Sequence, residues 1–176
     1  MKPQLMVLPI KKMLQWVSTH GNTRIAVLVA ASYDLDAAKL PHNCVVEMYD
    51  DIDFDCPGRS ITAEQAKHYA AFVQELPHDT EIIVCACNAG ESRSAALCAA
   101  LCEYYNVDSS WIWNSPHFHP NMLVFDMFTQ ALGLYTDDNR KDALIQANRA
   151  AFTNAIGISK STSVWEEQNE SYFPRH

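Results

Sequence analysis

No stretch of this chain is long and apolar enough to cross a membrane, and Lys11 and Lys12 interrupt the apolar segment near the start. Neither a membrane span nor a secretory signal is therefore expected. Basic residues are also short: 13 Lys and Arg against 21 Asp and Glu give a formal net charge of −8. That balance argues against a general nucleic-acid or anionic-membrane surface. Internal repeats and low-complexity segments are absent. Zinc-type spacing is missing as well: Cys85-Ala86-Cys87 is not a metal-binding pair, and its two thiols are expected on opposite faces of a strand. His117-Phe118-His119 has no matching second pair, so no metal and no cofactor is expected. With no export signal, the six cysteines read as reduced thiols in a cytosolic protein rather than as a disulfide framework.

What remains is a chain of 176 residues, 48% hydrophobic and 19% charged, enough for one domain with a proper core. Leu5–Leu8, Ile25–Ala31, Val45–Tyr49 and the run from Ile82 to Cys87 read as strands. Helices are expected at Ile10–Ser18, after the Thr62/Gln65 capping box, after Arg93, and over Met122–Leu132. In the capped helix, Ala66, Tyr69, Ala70, Val73 and Leu76 form one apolar face, which Pro77 ends. Ala95-Ala96-Leu97-Cys98-Ala99-Ala100-Leu101 is apolar nearly all round, so that helix is expected to be buried on both sides. Strands alternating with helices predict an α/β fold with a mainly parallel central sheet flanked by helices. Ligand loops in such folds lie beyond the carboxyl ends of the strands, and Cys87 stands there.

The chemistry concentrates in Cys87-Asn88-Ala89-Gly90-Glu91-Ser92-Arg93-Ser94. A strand, a cysteine, a tight loop with one glycine, an arginine and a helix follow one another. The backbone N–H groups of Asn88, Ala89, Gly90, Glu91, Ser92 and Arg93 can turn inward and, with the positive end of the helix, form an anion site. A sulfur at the base of such a site is favoured as the thiolate, the form that attacks. Arg93 adds a planar fork that matches two phosphate oxygens.

This segment resembles the signature loop of the protein tyrosine and dual-specificity phosphatases, whose pattern is His-Cys, five residues, Arg, then Ser or Thr. Cys87, Gly90, Arg93 and Ser94 fall on family positions, as does Ser92, which many dual-specificity members share. The similarity extends over residues from about 5 to 134, most closely to the small bacterial-type members. Tyr49-Asp50-Asp51-Ile52 matches their strand-ending acid segment, and His119-Pro120-Asn121 matches the Pro-Asn before their last helix. The resemblance implies the three-layer fold of that family over residues 1–136, with 137–176 as a C-terminal helical and polar extension. It implies a phosphomonoester hydrolase acting through a phosphocysteine. Cys87 would be the nucleophile, Arg93 and the loop amides the phosphate binders, and Ser94 the donor to the sulfur. One position departs: the family histidine before the nucleophile is Ala86. Its loss implies a less readily ionised Cys87 and a less firmly held loop, hence reduced turnover.

The family's general acid protonates the leaving oxygen. Four candidates crowd together here, Asp50, Asp51, Asp53 and Asp55. Aligning strand ends favours Asp51, whereas spacing back from Cys87 points to Asp55 unless Cys56-Pro57-Gly58 is an insertion. Asp51 is the first choice, with Asp50 and Asp53 next. Glu91 on the loop's lip should repel polyanions, which favours phosphorylated proteins or small monoesters over inositol lipids and RNA ends.

Other readings are open at this point. Low-molecular-weight phosphatases and arsenate reductases carry a similar loop, but near the N-terminus. Rhodanese-type transferases have a related one without the upstream Asp-Asp-Ile. A phosphate-binding pseudophosphatase is the rival from another class. Redox sensing through Cys87, with Cys44, Cys56 or Cys85 resolving, could coexist with hydrolysis. In the extension, Arg140–Ile156 is expected to be helical, with Leu144, Ala147, Ala151, Phe152 and Ala155 on one side, and the chain turns polar beyond Gly157.

Overall fold

Four short apolar strands lie side by side in one parallel sheet, in the order β1-β4-β2-β3. The computed structural model describes residues 2–20 and 24–170, with side chains described as far as Gly157. The strands are β1 (Gln4–Pro9), β2 (Ile25–Ala31), β3 (Cys44–Met48) and β4 (Ile82–Cys87). Between and after them run α1 (Ile10–Thr19), α2 (Ala63–Gln74), α3 (Arg93–Tyr104), α4 (Ser110–Trp113), α5 (Met122–Ala131) and α6 (Asp138–Glu170). The chain steps from β1 to β2 and β3, then returns to insert β4 between β1 and β2. No described helix is long and apolar enough to cross a membrane.

Period-two alternation divides the sheet's side chains between two layers. Ala26, Leu28, Ala30, Ile83, Cys85 and Cys87 face a large core shared with α2, α3 and α5. Val27, Val29, Val84 and Ala86 face a smaller one closed by Ile10 and Met13 of α1. The expected α/β architecture, with helices on both faces of a parallel sheet, is therefore present. One detail is corrected. Cys85 and Cys87 share a face, because residues two apart on a strand point the same way, and only Ala86 between them points to the other side.

The capping box forms as the sequence predicts. Thr62 N–H donates to Gln65 Oε1 at 2.9 Å and Gln65 N–H donates to Thr62 Oγ1 at 3.2 Å. Gln65 Nε2 also donates to Met48 O at 2.9 Å, which ties the start of α2 to the end of β3. The helix stops at Gln74, short of Pro77, and Leu76 packs on the core from beyond its end. Every residue of α3 from Arg93 to Cys102 is buried, because the sheet lies on one side of this helix and α5 on the other. Its alanines at 95, 96, 99 and 100 permit that close approach.

The last helix begins earlier and ends later than expected, at Asp138 and Glu170 rather than Arg140 and Ile156. Gly157 does not stop it. A single glycine costs about 1 kcal/mol in a helix interior, and this one is not in the left-handed conformation that terminates helices.

Candidate active site

The loop after β4 rests on the junction of β1 and α1, and Gly90 is the point of contact. Its φ is +76°, and a Cβ there would lie 2.4 Å from Pro9 N and 2.7 Å from Leu8 C. Only glycine meets both the left-handed conformation and that approach. The outer edge of the loop is tied to the segment before α5. His119 N–H donates to Glu91 O at 3.0 Å, and Asn121 N–H lies 3.5 Å from Ser92 O.

Cys87 ends β4 in the large core, almost fully buried, and its Sγ lies 3.0 Å from Ser94 Oγ in the first turn of α3. Arg93 opens the same helix. Its side chain is only 4% exposed, so its bonding decides where its charge is directed. Nη1 donates to Ser32 Oγ at 2.9 Å and to Tyr49 O at 2.6 Å. The guanidinium carbon sits 5.9 Å from the centre of the Tyr49 ring. Nε is buried and has no hydrogen-bond partner among the described residues. Its nearest opposite charge is Asp51 Oδ2 at 4.0 Å, too long for a hydrogen bond. Buried N–H groups are nearly always paired. Arg93 Nε is an exception among the described residues.

Burial pushes the Tyr49 phenol well above its ordinary pKa, offset in part by the neighbouring Tyr69 hydroxyl and the Arg93 charge. Tyr49 is therefore a neutral ring beneath the cation.

Asp51 reaches the loop from the end of β3. Its Oδ1 accepts from Ser92 Oγ at 2.8 Å and from Asn121 Nδ2 at 2.9 Å. Ser92, at the N-cap position, makes no side-chain cap on α3, and that helix has no acidic residue in its first turn. No described side chain at the N-cap therefore satisfies the N-terminal amides of α3. Asn121 has two tasks. Its Oδ1 caps α5 by accepting from Val124 N–H at 3.1 Å, while its Nδ2 also donates to Ile52 O at 3.1 Å.

Of the other aspartates, Asp50 is engaged by Arg59 at 2.9 Å and Asp55 is exposed. Asp53 lines a cavity of about 430 Å³ beside the loop, together with Asp51, Ser92, His119, Asn121 and Asn148. Among the described residues no three His, Cys, Asp or Glu side chains are grouped to hold a metal ion. Asn88, Ala89 and Glu91 are exposed on the loop. Asn88 Oδ1 accepts from Ser32 N–H at 3.3 Å.

Cys87, Arg93, Ser94, Ser92 and Asp51 are thus brought together, as the sequence motif anticipates. Ser32 joins them through Arg93, a contact the sequence reading did not supply, and Asn121, read there as part of a Pro-Asn pair, joins them through Asp51. The signal for Ser32 was topological: it follows the buried strand β2, which neighbours β4, at the carboxyl edge of the sheet.

No protein-family model matches this chain, and no curated protein matches it either.

Proposed function

We propose that this protein is a cysteine-dependent phosphomonoester hydrolase of the protein tyrosine or dual-specificity type. The observation that carries the reading is buried Arg93, whose Nε has no partner among the described residues, at the start of α3 in the same turn as Ser94, which pairs with Cys87. In this reading the Cys87 sulfur attacks phosphorus while Arg93 and the loop amides bind the equatorial oxygens. The phosphorus–oxygen bond breaks, and Asp51 gives its proton to the leaving oxygen. Water then attacks the phosphocysteine, Asp51 takes the water proton, and phosphate leaves with the thiolate restored. Ser94, 3.0 Å from the sulfur, donates to it as it departs. The route requires no metal. The six free thiols support a reducing, cytosolic setting.

The second reading is a phosphate-binding pseudophosphatase, and Ala86 is the observation that favours it. Hydrolysis of para-nitrophenyl phosphate between pH 5 and 8, with vanadate as inhibitor, separates the two. Vanadate-sensitive turnover that disappears in Cys87→Ser and Arg93→Ala supports the hydrolase. Binding of vanadate that needs Arg93, without turnover, supports the pseudoenzyme. Neither binding nor turnover defeats both.

A further inference from the structure

Helix α6 reaches the edge of the candidate site through Asn148, which lines the cavity beside Asp51. The Nδ2 of Asn148 lies 2.7 Å from Phe118 O, 3.3 Å from Trp113 O and 3.4 Å from Ser115 O. An amide nitrogen carries only two hydrogens, so the short bond to Phe118 O is the firm one and the other two carbonyls share the second. One turn along α6, the Phe152 ring meets the His119 ring edge-on at 5.0 Å between centres. The helix therefore grips residues 113–119 at two points four residues apart. That same segment holds the reactive loop, through His119 N–H on Glu91 O. Ion pairs of Arg140 with Glu103 at 2.6 Å and of Lys141 with Asp126 at 3.2 Å hold the start of α6 on α3 and α5.

In an in-line attack by Cys87 the leaving alcohol lies across phosphorus from the sulfur, and its oxygen must be within reach of Asp51 to be protonated. The cavity of about 430 Å³ borders Asp51 and is far larger than the roughly 30 Å³ share of one water. We propose that this cavity receives the alcohol part of the substrate, with Asn148 as a positioning and specificity residue on its far wall. The inference rests on the phosphomonoester hydrolase reading. The cavity's polar lining is rich in acceptors. Asp53 supplies a carboxylate beside Asp51, which carries the proton in that reading, and Asn148 Oδ1 accepts no hydrogen bond from the described residues. The ligand class that fits is an alcohol bearing hydrogen-bond donors, a hydroxyl or an ammonium, and no further anionic group.

The test compares O-phosphoethanolamine with n-propyl phosphate, which has a similar size but no donor, on the full chain. Wild type is expected to favour the first in kcat/KM, and Asp53→Asn to shrink that preference by about 3- to 10-fold, the worth of one hydrogen bond. Asn148→Ala is expected to raise KM for O-phosphoethanolamine by a similar factor and to raise KM for n-propyl phosphate less. A merely structural role would raise KM for both esters equally, and that result overturns the inference. So does equal use of the two esters by a wild-type protein that turns over. If wild type neither turns over nor binds vanadate, the hydrolase reading fails first and this inference falls with it.

Discussion

Ser92 donates its hydroxyl hydrogen to Asp51 Oδ1 at 2.8 Å and makes no side-chain cap on helix α3. With the bond from Asn121 Nδ2, this contact holds the Asp51 carboxylate beside the loop. In Ser92→Ala the carboxylate loses one of its two hydrogen bonds, keeping that from Asn121. Turnover of an alkyl phosphate, whose leaving group needs a proton, is expected to fall by about 3- to 10-fold. Turnover of para-nitrophenyl phosphate, which releases a stable phenolate, should fall much less. The ratio of the two kcat losses is the measurement, and equal losses would mean that Ser92 does not act through Asp51.

Arg93 spends Nη1 on Ser32 and Tyr49, so its remaining N–H groups are held in orientation by two strand ends. Ser32→Ala is expected to weaken vanadate inhibition by about 3- to 10-fold. Arg93→Lys should weaken it more, because lysine has no fork to share between a protein acceptor and an oxyanion. The double variant is expected to be no worse than Arg93→Lys alone, since Ser32 acts only through the guanidinium. Additive losses in the inhibition constants would contradict that coupling.

Gly90 tests the seat of the loop rather than its chemistry. An alanine there keeps a φ of +76° only at a cost of about 1–3 kcal/mol, and its methyl meets the Pro9 and Leu8 backbone at 2.4–2.7 Å. Gly58 has the same φ but open space around it. Urea unfolding should therefore show Gly90→Ala destabilised well beyond Gly58→Ala. Equal shifts would show that the close approach to β1 carries no weight.

Burial pushes the Cys44 thiol from its ordinary 9.0 up to about 12. Below pH 9 it is protonated in both the folded and unfolded chains. Between pH 9 and about 12 the unfolded chain ionises it and the folded chain does not, so stability falls as pH rises. The buried phenols of Tyr49 and Tyr69 are also raised and add to the fall at higher pH. Urea midpoints at pH 8, 9.5 and 10.5 should decline, and Cys44→Ala should flatten the decline. An unchanged slope in that variant would remove Cys44 as a contributor.

How far the sequence was legible depends on whether a feature is local. The strand ending at Cys87, the capping box at Thr62 and the buried helix after Arg93 each rest on neighbours in sequence, and each appears where the pattern puts it. The anchors of Arg93 do not: Ser32 is 61 residues away and Tyr49 is 44, joined only by the order of strands in the sheet. Asn121 was visible as part of a Pro-Asn pair, but its grip on Asp51 spans 70 residues. Asn148 lies in a helix whose apolar side was readable and whose polar contact with Phe118 O was not. The misplacement of Cys85 and Cys87 on opposite faces had a simpler origin, since two-residue spacing on a strand always returns to the same face.

Ala86 is where the chain departs from the pattern it otherwise resembles, and its surroundings say what restoring a histidine would do. The methyl group is fully buried in the smaller core with Ile10, Met13, Val27, Val29 and Val84. An imidazole is several heavy atoms larger, and overpacking a filled core typically costs about 1–3 kcal/mol. Its ring nitrogens would also enter an apolar cluster and would need partners there. Ala86→His is therefore expected to lower stability in urea by at least that amount. Because the side chain points away from the layer that holds Cys87, turnover should not rise. Ala86→Ser, which adds a single atom, should cost less stability and leave turnover unchanged. A stable Ala86→His with raised turnover would mean that the loop can recruit the imidazole after all, and that the missing histidine alone limits this site.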